Sequence, residues 1–180
     1  VDTKRVTDLI AEARAARPLV LVGIGGRGGA GKTTLAHAIP GAQVVATDAF
    51  WDGEGFDLAR LRADVLEPLL RGETARYDAY DWASRTQAGV RVVDPVGIAV
   101  IEGVCALHRL FRDAYDVRVW VEAPREVRLA RAIERDGEAA RAEWEERWLP
   151  SEDRYVERDD PISSAHVIVD GSGRRELAET

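Results

Sequence analysis

Leu19-Val20-Leu21-Val22-Gly23-Ile24-Gly25-Gly26-Arg27-Gly28-Gly29-Ala30-Gly31-Lys32-Thr33-Thr34 is the stretch that decides the fold class of this 180-residue chain. Residues 19–24 form a short apolar run, the signature of a strand buried on both faces. Residues 26–33 match the pattern G-x-x-x-x-G-K-[ST] at every fixed position. Residues 32–39 then read as a helix that Pro40-Gly41 ends. The residue types suit phosphate. Glycines let successive backbone N–H groups turn inward around phosphate oxygens, and the helix that follows points its positive end at them. Lys32 reaches the outer phosphates, and the Thr33 hydroxyl offers a ligand to Mg²⁺. Gly26, Gly28, Gly29, Ala30, Gly31, Lys32, Thr33 and Thr34 are therefore the expected phosphate-binding segment. Lysine usage agrees, since Lys4 and Lys32 are the only lysines among 25 basic residues. A chain that otherwise uses arginine for positive charge has a specific reason to place a lysine here.

Outward from this loop, strands and helices alternate. A first helix is expected over residues 8–16, and further strands over 43–46, 97–101, 117–121 and 166–169. Leu58, Leu61, Val65, Leu66, Leu69 and Leu70 recur at helical spacing, with Gly72 as the stop and Pro68 set to kink or shorten the last turn. Residues 76–82 and 90–93 read as a hairpin, and 125–135 and 138–148 as arginine-dense helices. The pattern predicts an α/β fold with a mostly parallel sheet, in one domain over residues 1–180.

Composition narrows the function classes. The hydrophobic fraction is 46% and the charged fraction 32%, enough apolar residue for a core and unlike a disordered chain. A net charge of −7 argues against a non-specific nucleic-acid partner. No apolar run reaches the roughly 18 to 20 residues a bilayer span needs, so no membrane partner is expected. Residues 1–17 carry charge throughout and no signal-peptide core, and the lack of any methionine leads us to expect removal of an initiator residue. Cys105 is the single cysteine, so no internal disulfide forms and the reducing cytoplasm is the expected compartment.

Two acidic residues follow predicted strands: Asp48 in Val44-Val45-Ala46-Thr47-Asp48, and Glu102 in Ile98-Ala99-Val100-Ile101-Glu102. Both fall at the carboxyl edge of the sheet, where such folds bind ligands. A carboxylate there can ligate Mg²⁺ or accept a proton from an attacking hydroxyl. Either residue alone would also suit a turn or helix cap. The pair, beside a phosphate loop, points to chemistry.

The phosphate loop, Asp48-Ala49-Phe50-Trp51, Tyr80-Asp81-Trp82 and Ile101-Glu102-Gly103, in that order, resemble the uridine kinase-like family of P-loop kinases, related to phosphoribulokinase and pantothenate kinase. The likeness runs from about Leu19 to Gly171. It implies a P-loop NTPase fold with a five-stranded parallel core, a substrate hairpin within about 50–95 and a helical lid within about 125–158. It further implies ATP and Mg²⁺ as cofactors, and a nucleoside-like small molecule, uridine or cytidine in type, as acceptor. Position by position, Asp48 matches the family's aspartate that takes the acceptor's proton and helps order Mg²⁺, and Glu102 matches a metal-associated glutamate. With Thr33 they make the expected metal set. Asp57 resembles the acid that holds the ribose hydroxyls, and Trp51, Tyr80 and Trp82 fall where the family places aromatics around the base. In the lid, Arg135 takes the phosphate-facing position, with Arg131 as a second nucleotide contact.

Two positions depart from the family. Arg85 stands where a base-side histidine is expected, and Ala132 where the lid often carries a second arginine. The acceptor thus stays open to other small alcohols, such as a nucleoside antibiotic, a pantothenate-like compound or a sugar. From another class, the chain could be an NTP-gated switch, since Asp52-Gly53-Glu54-Gly55 imitates the D-x-x-G of GTPases. No Asn-Lys-x-Asp guanine reader accompanies it, and a switch has no use for the aromatics at 77–82. A homo-oligomer is compatible with the kinase reading. Trp144 and Trp148 are expected to pack the lid rather than touch ligand.

Overall fold

Strand β1 (Leu19–Gly26) occupies the centre of a five-stranded parallel sheet in the computed structural model, which describes residues 3–82 and 84–173. With β2 (Ala42–Ala46), a hairpin of β3 (Ala75–Asp81) and β4 (Thr86–Val93), β5 (Gly97–Glu102), β6 (Val117–Glu122) and β7 (Val167–Asp170), the sheet order is β2-β5-β1-β6-β7. Its pairings, β1 with β5 and β6, β2 with β5, and β6 with β7, are all parallel. β3 and β4 pair antiparallel as a separate sheet.

Alternation along β1 explains how both faces are filled. Val20, Val22 and Ile24 enter one core with Val6 and Ile10 of helix α1 (Thr3–Arg14) and Leu35 of α2 (Lys32–Ala38). Leu21 enters the other, where Tyr115 and Leu107 lie so close to Gly23 that a Cβ there would meet both below 3.0 Å. Large side chains thus cover the glycine half of β1. Helix α1 begins five residues before the predicted 8–16, because Val6 and Ile10, rather than later residues, supply its buried stripe.

Helix α3 runs from Leu58–Leu61 through a π turn, Arg62–Leu66, to Glu67–Leu70. The irregularity is a widened turn just before Pro68. Pro68 lacks the N–H that would bond four residues back, and the widened turn lets the N–H of Glu67 donate to Arg62 O instead. The helical segment after β6 repeats this device. Helix α4 (Arg125–Asp136) is followed by α5, which passes from Arg141–Glu143 through a π turn, Trp144–Trp148, into Leu149–Asp159. There the N–H of Leu149, just before Pro150, donates to Trp144 O. α5 therefore continues eleven residues past the predicted end at 148.

Candidate functional site

The carboxyl ends of β1, β2 and β5 bring the predicted acids and the phosphate loop to one edge. β2 ends at Ala46 opposite Glu102 of β5, and Ile24 of β1 is also in register with Glu102. Close packing fixes the junction. A Cβ on Gly103, whose φ is +147°, would lie 1.8 Å from Thr47 Oγ1, so only glycine lets the ends of β2 and β5 meet this way. Asp48 sits in the short 3₁₀ turn Thr47–Phe50 directly after β2, with its side chain exposed.

Lys32 and Thr33 open α2, which begins as Gly31 turns through φ +103°. Thr33 Oγ1 donates to Glu102 Oε1 at 3.0 Å. The Lys32 ammonium donates to the backbone carbonyl of Arg27 at 3.0 Å, and its side chain is buried rather than standing free in the loop. Burial pulls its pKa down, against the opposing fields of Glu102, Asp48 and Glu152. Burial likewise pushes the Glu102 carboxyl up, against Lys32 and the Thr33 hydroxyl. Gly26, Gly28 and Ala30 are buried, and Thr34 is exposed on the first turn of α2.

A buried carboxylate held by one hydroxyl, with a second, exposed carboxylate near it, fits Mg²⁺, which binds through one or two carboxylates and takes its remaining ligands from phosphate and water. No group of three or more His, Cys, Asp or Glu among the described residues forms a metal cage of protein atoms alone.

Of the two predicted lid arginines, Arg131 contacts the loop and Arg135 acts on it only through its charge. Arg135 lies within the fields of Asp48 and Lys32, and its guanidinium makes a fork to both Asp136 oxygens at 2.7 and 2.8 Å. Arg131 spends its donors on backbone carbonyls: Nη1 on Gly29 and Gly171, and Nη2 on Ser172. It ties the phosphate loop to the loop after β7.

The aromatic residues also converge. Trp51 packs on Phe56, Trp82 and Trp148, with ring centroids 5.4, 5.2 and 6.1 Å away, and Tyr80 meets Trp82 edge-on at 5.3 Å. Trp82 Nε1 donates to the Asp48 carbonyl at 3.1 Å. Trp148 thus belongs to this cluster as well as to the lid, and Trp144 lies against Gly28. Asp57 caps α3, its Oδ1 accepting from the Arg60 N–H at 2.9 Å. Arg85 is exposed on the hairpin turn, with φ 55°. Asp52 accepts from the N–H groups of Glu54 and Gly55, so the D-x-x-G imitation is a local turn.

Sequence reasoning missed Glu152. Its Oε1 accepts from the Gly28 N–H at 2.8 Å and its Oε2 lies 3.3 Å from Arg128 Nη1. It is one acid in a helix rich in acids, and nothing local marks it.

No family model matches the chain. A uridine kinase of Lactobacillus helveticus is 27% identical over 143 residues, 65% of this chain and 67% of that one. The inorganic pyrophosphatase TTM2 of Arabidopsis thaliana is 32% identical over 144 residues, 71% of this chain but 21% of that protein. Among solved structures, a possible uridine kinase from Bacillus stearothermophilus superposes with a TM-score of 0.66 at 21% identity, covering 92% of this chain and 100% of that one. A putative fructose transport system kinase from Silicibacter sp. TM1040 gives 0.67 at 23% identity, covering 88% and 95%. The family that this chain resembles, in sequence over about two thirds of its length and in fold over nearly all of it, is that of the uridine kinase-like P-loop kinases.

Proposed function

We propose that the protein is an ATP- and Mg²⁺-dependent phosphotransferase acting on a hydroxyl of a small, nucleoside-like acceptor. The contact that carries this reading is Thr33 Oγ1 to Glu102 Oε1 at 3.0 Å, with Lys32 beside it and Asp48 facing outward at the same sheet edge. The loop amides and Lys32 hold the β- and γ-phosphates. Thr33, Glu102 and Asp48 would hold Mg²⁺, which neutralises charge on the phosphates when bound. Asp48 accepts the acceptor's proton, because it is the exposed carboxylate of the site while Glu102 is buried. Arg135, from the lid, neutralises charge as phosphate moves. Relatives named as kinases support the reaction class.

On the acceptor side, Trp82, 46% exposed, offers a face on which a nucleobase stacks, with Trp51 and Tyr80 packed against it, and the Asp57 oxygen that its cap does not use lies 4.0 Å from Arg60 Nε. A carboxylate there disfavours an acceptor already bearing phosphate. A sugar or other small alcohol is the second reading, favoured by the burial of Trp51, 9% exposed, among Phe56, Trp82 and Trp148. Competition among uridine, cytidine, their monophosphates and simple sugars decides between them. Preference for a neutral nucleoside supports the first reading. Preference for a sugar establishes the second, and preference for monophosphates overturns both.

A further inference from the structure

A carboxylate lies where a phosphate loop gathers its donors. Glu152 projects from α5 onto the Gly28 N–H at 2.8 Å, with Arg128 Nη1 3.3 Å from its other oxygen and the Lys32 and Arg27 charges close enough to act on it. Its side chain is 6% exposed and that of Arg128 5%. A buried carboxylate is costly unless paired, so this set of donors is a built anion position, with Glu152 as its occupant. The neighbouring acid makes the same approach: Asp153 lies 3.1 Å from Arg27 Nε and 3.4 Å from Arg125 Nη1. The seating is tight. A Cβ on Gly28 would meet Glu152 Oε1 at 2.6 Å and the Trp144 ring at 2.7 Å.

We propose that Glu152 is an intramolecular competitor for phosphate. The lid helix lays its carboxylate on the Gly28 N–H and Arg128, within the field of Lys32, and a nucleoside triphosphate loads by exchanging phosphate oxygens for that carboxylate. The inference rests on the phosphotransferase reading of the loop and adds to it a lid that must release before the site fills. Apparent affinity is then reduced by the fraction of molecules in which Glu152 is seated. The contact is charge-assisted and buried, so its removal is worth about tenfold in affinity.

The test is titration calorimetry of Mg·ATP and of tripolyphosphate against the wild-type protein, Glu152→Gln and Glu152→Ala, with folding checked by circular dichroism. Gln keeps the shape without the charge, so it reports even if Ala does not fold. The difference in tryptophan emission between the wild type and Trp144→Phe, which keeps the other four tryptophans, gives a second readout of lid release. Tighter binding of both ligands by the variants, about tenfold, with an emission change on loading the wild type, supports the competitor. Equal or weaker binding by folded variants overturns it, makes Glu152 a brace of the loop, and leaves the phosphotransferase reading intact. Absence of binding in all three proteins overturns the phosphate-loop reading and this inference with it.

Discussion

The indole N–H of Trp82 donates to the backbone carbonyl of Asp48 over 3.1 Å, which ties the β3–β4 hairpin to the residue that carries the proposed base. In the proposed reaction this bond joins acceptor recognition to proton removal. Trp82→Phe keeps an aromatic face and loses this bond, whereas Trp82→Ala loses both. We expect Trp82→Ala to raise the acceptor KM by about tenfold to a hundredfold, from stacking worth about 1 to 3 kcal/mol, with the ATP KM unchanged. Trp82→Phe is expected to lower kcat more than it raises KM. Steady-state kinetics varying each substrate checks both.

Asp48→Asn preserves size and removes the charge. The expected loss in kcat is about 10² to 10⁴, with Mg·ATP still bound, because the phosphate loop is intact. Calorimetric binding beside turnover separates the two, and near-normal turnover makes Asp48 a turn residue only.

Asp57 needs a different substitution from the obvious one. Its Oδ1 caps α3, so Asp57→Ala is expected to cost about 1 kcal/mol of stability whatever the acceptor. Asp57→Asn retains an acceptor for the cap. It should melt close to wild type while raising the KM of any acceptor with a vicinal diol.

Glu102 gives a pH signature. Burial raises its carboxyl above the ordinary 4.5, so the native state binds the proton more tightly than the unfolded chain does. Its contribution to stability is thus full below the unfolded value and is lost as pH rises through the raised folded value. Glu102→Gln imitates the protonated group. We expect it to melt above wild type at neutral pH, with the difference closing toward and below pH 4.5, and to lose Mg²⁺-dependent turnover. Thermal melts across pH, with and without Mg²⁺, decide it.

The legible parts of the molecule are those where chemistry is local in the chain. Residues 19–34 carry strand, loop and helix start in one run, and Asp48 and Glu102 declare themselves by ending strands that the fold sets side by side. The lid contacts were not legible. Gly28 and Glu152 meet across 124 residues, and one acid among Glu143, Glu145, Glu146, Glu152 and Asp153 has no local mark. Helical spacing sets Arg128, Arg131 and Arg135 near one face of α4, but tertiary contacts decide the use of the first two, a carboxylate and three carbonyls, while Arg135 forks onto its sequence neighbour Asp136. The Trp51–Trp148 contact hides for the same reason, since it joins the turn after β2 to the lid. π turns precede both Pro68 and Pro150, a device that helical spacing alone does not announce.

The most direct measurement follows the γ-phosphoryl group itself. γ-Labelled ATP and Mg²⁺ are incubated with the wild-type protein and with Lys32→Ala, with and without a panel of nucleosides and small alcohols. Label is expected to move to an acceptor hydroxyl in step with ADP release, and Lys32→Ala, still folded, to lose at least about 10² of that rate. ADP release by the wild type that is the same with and without every acceptor, or a folded Lys32→Ala that transfers label at the wild-type rate, would contradict the phosphotransferase reading.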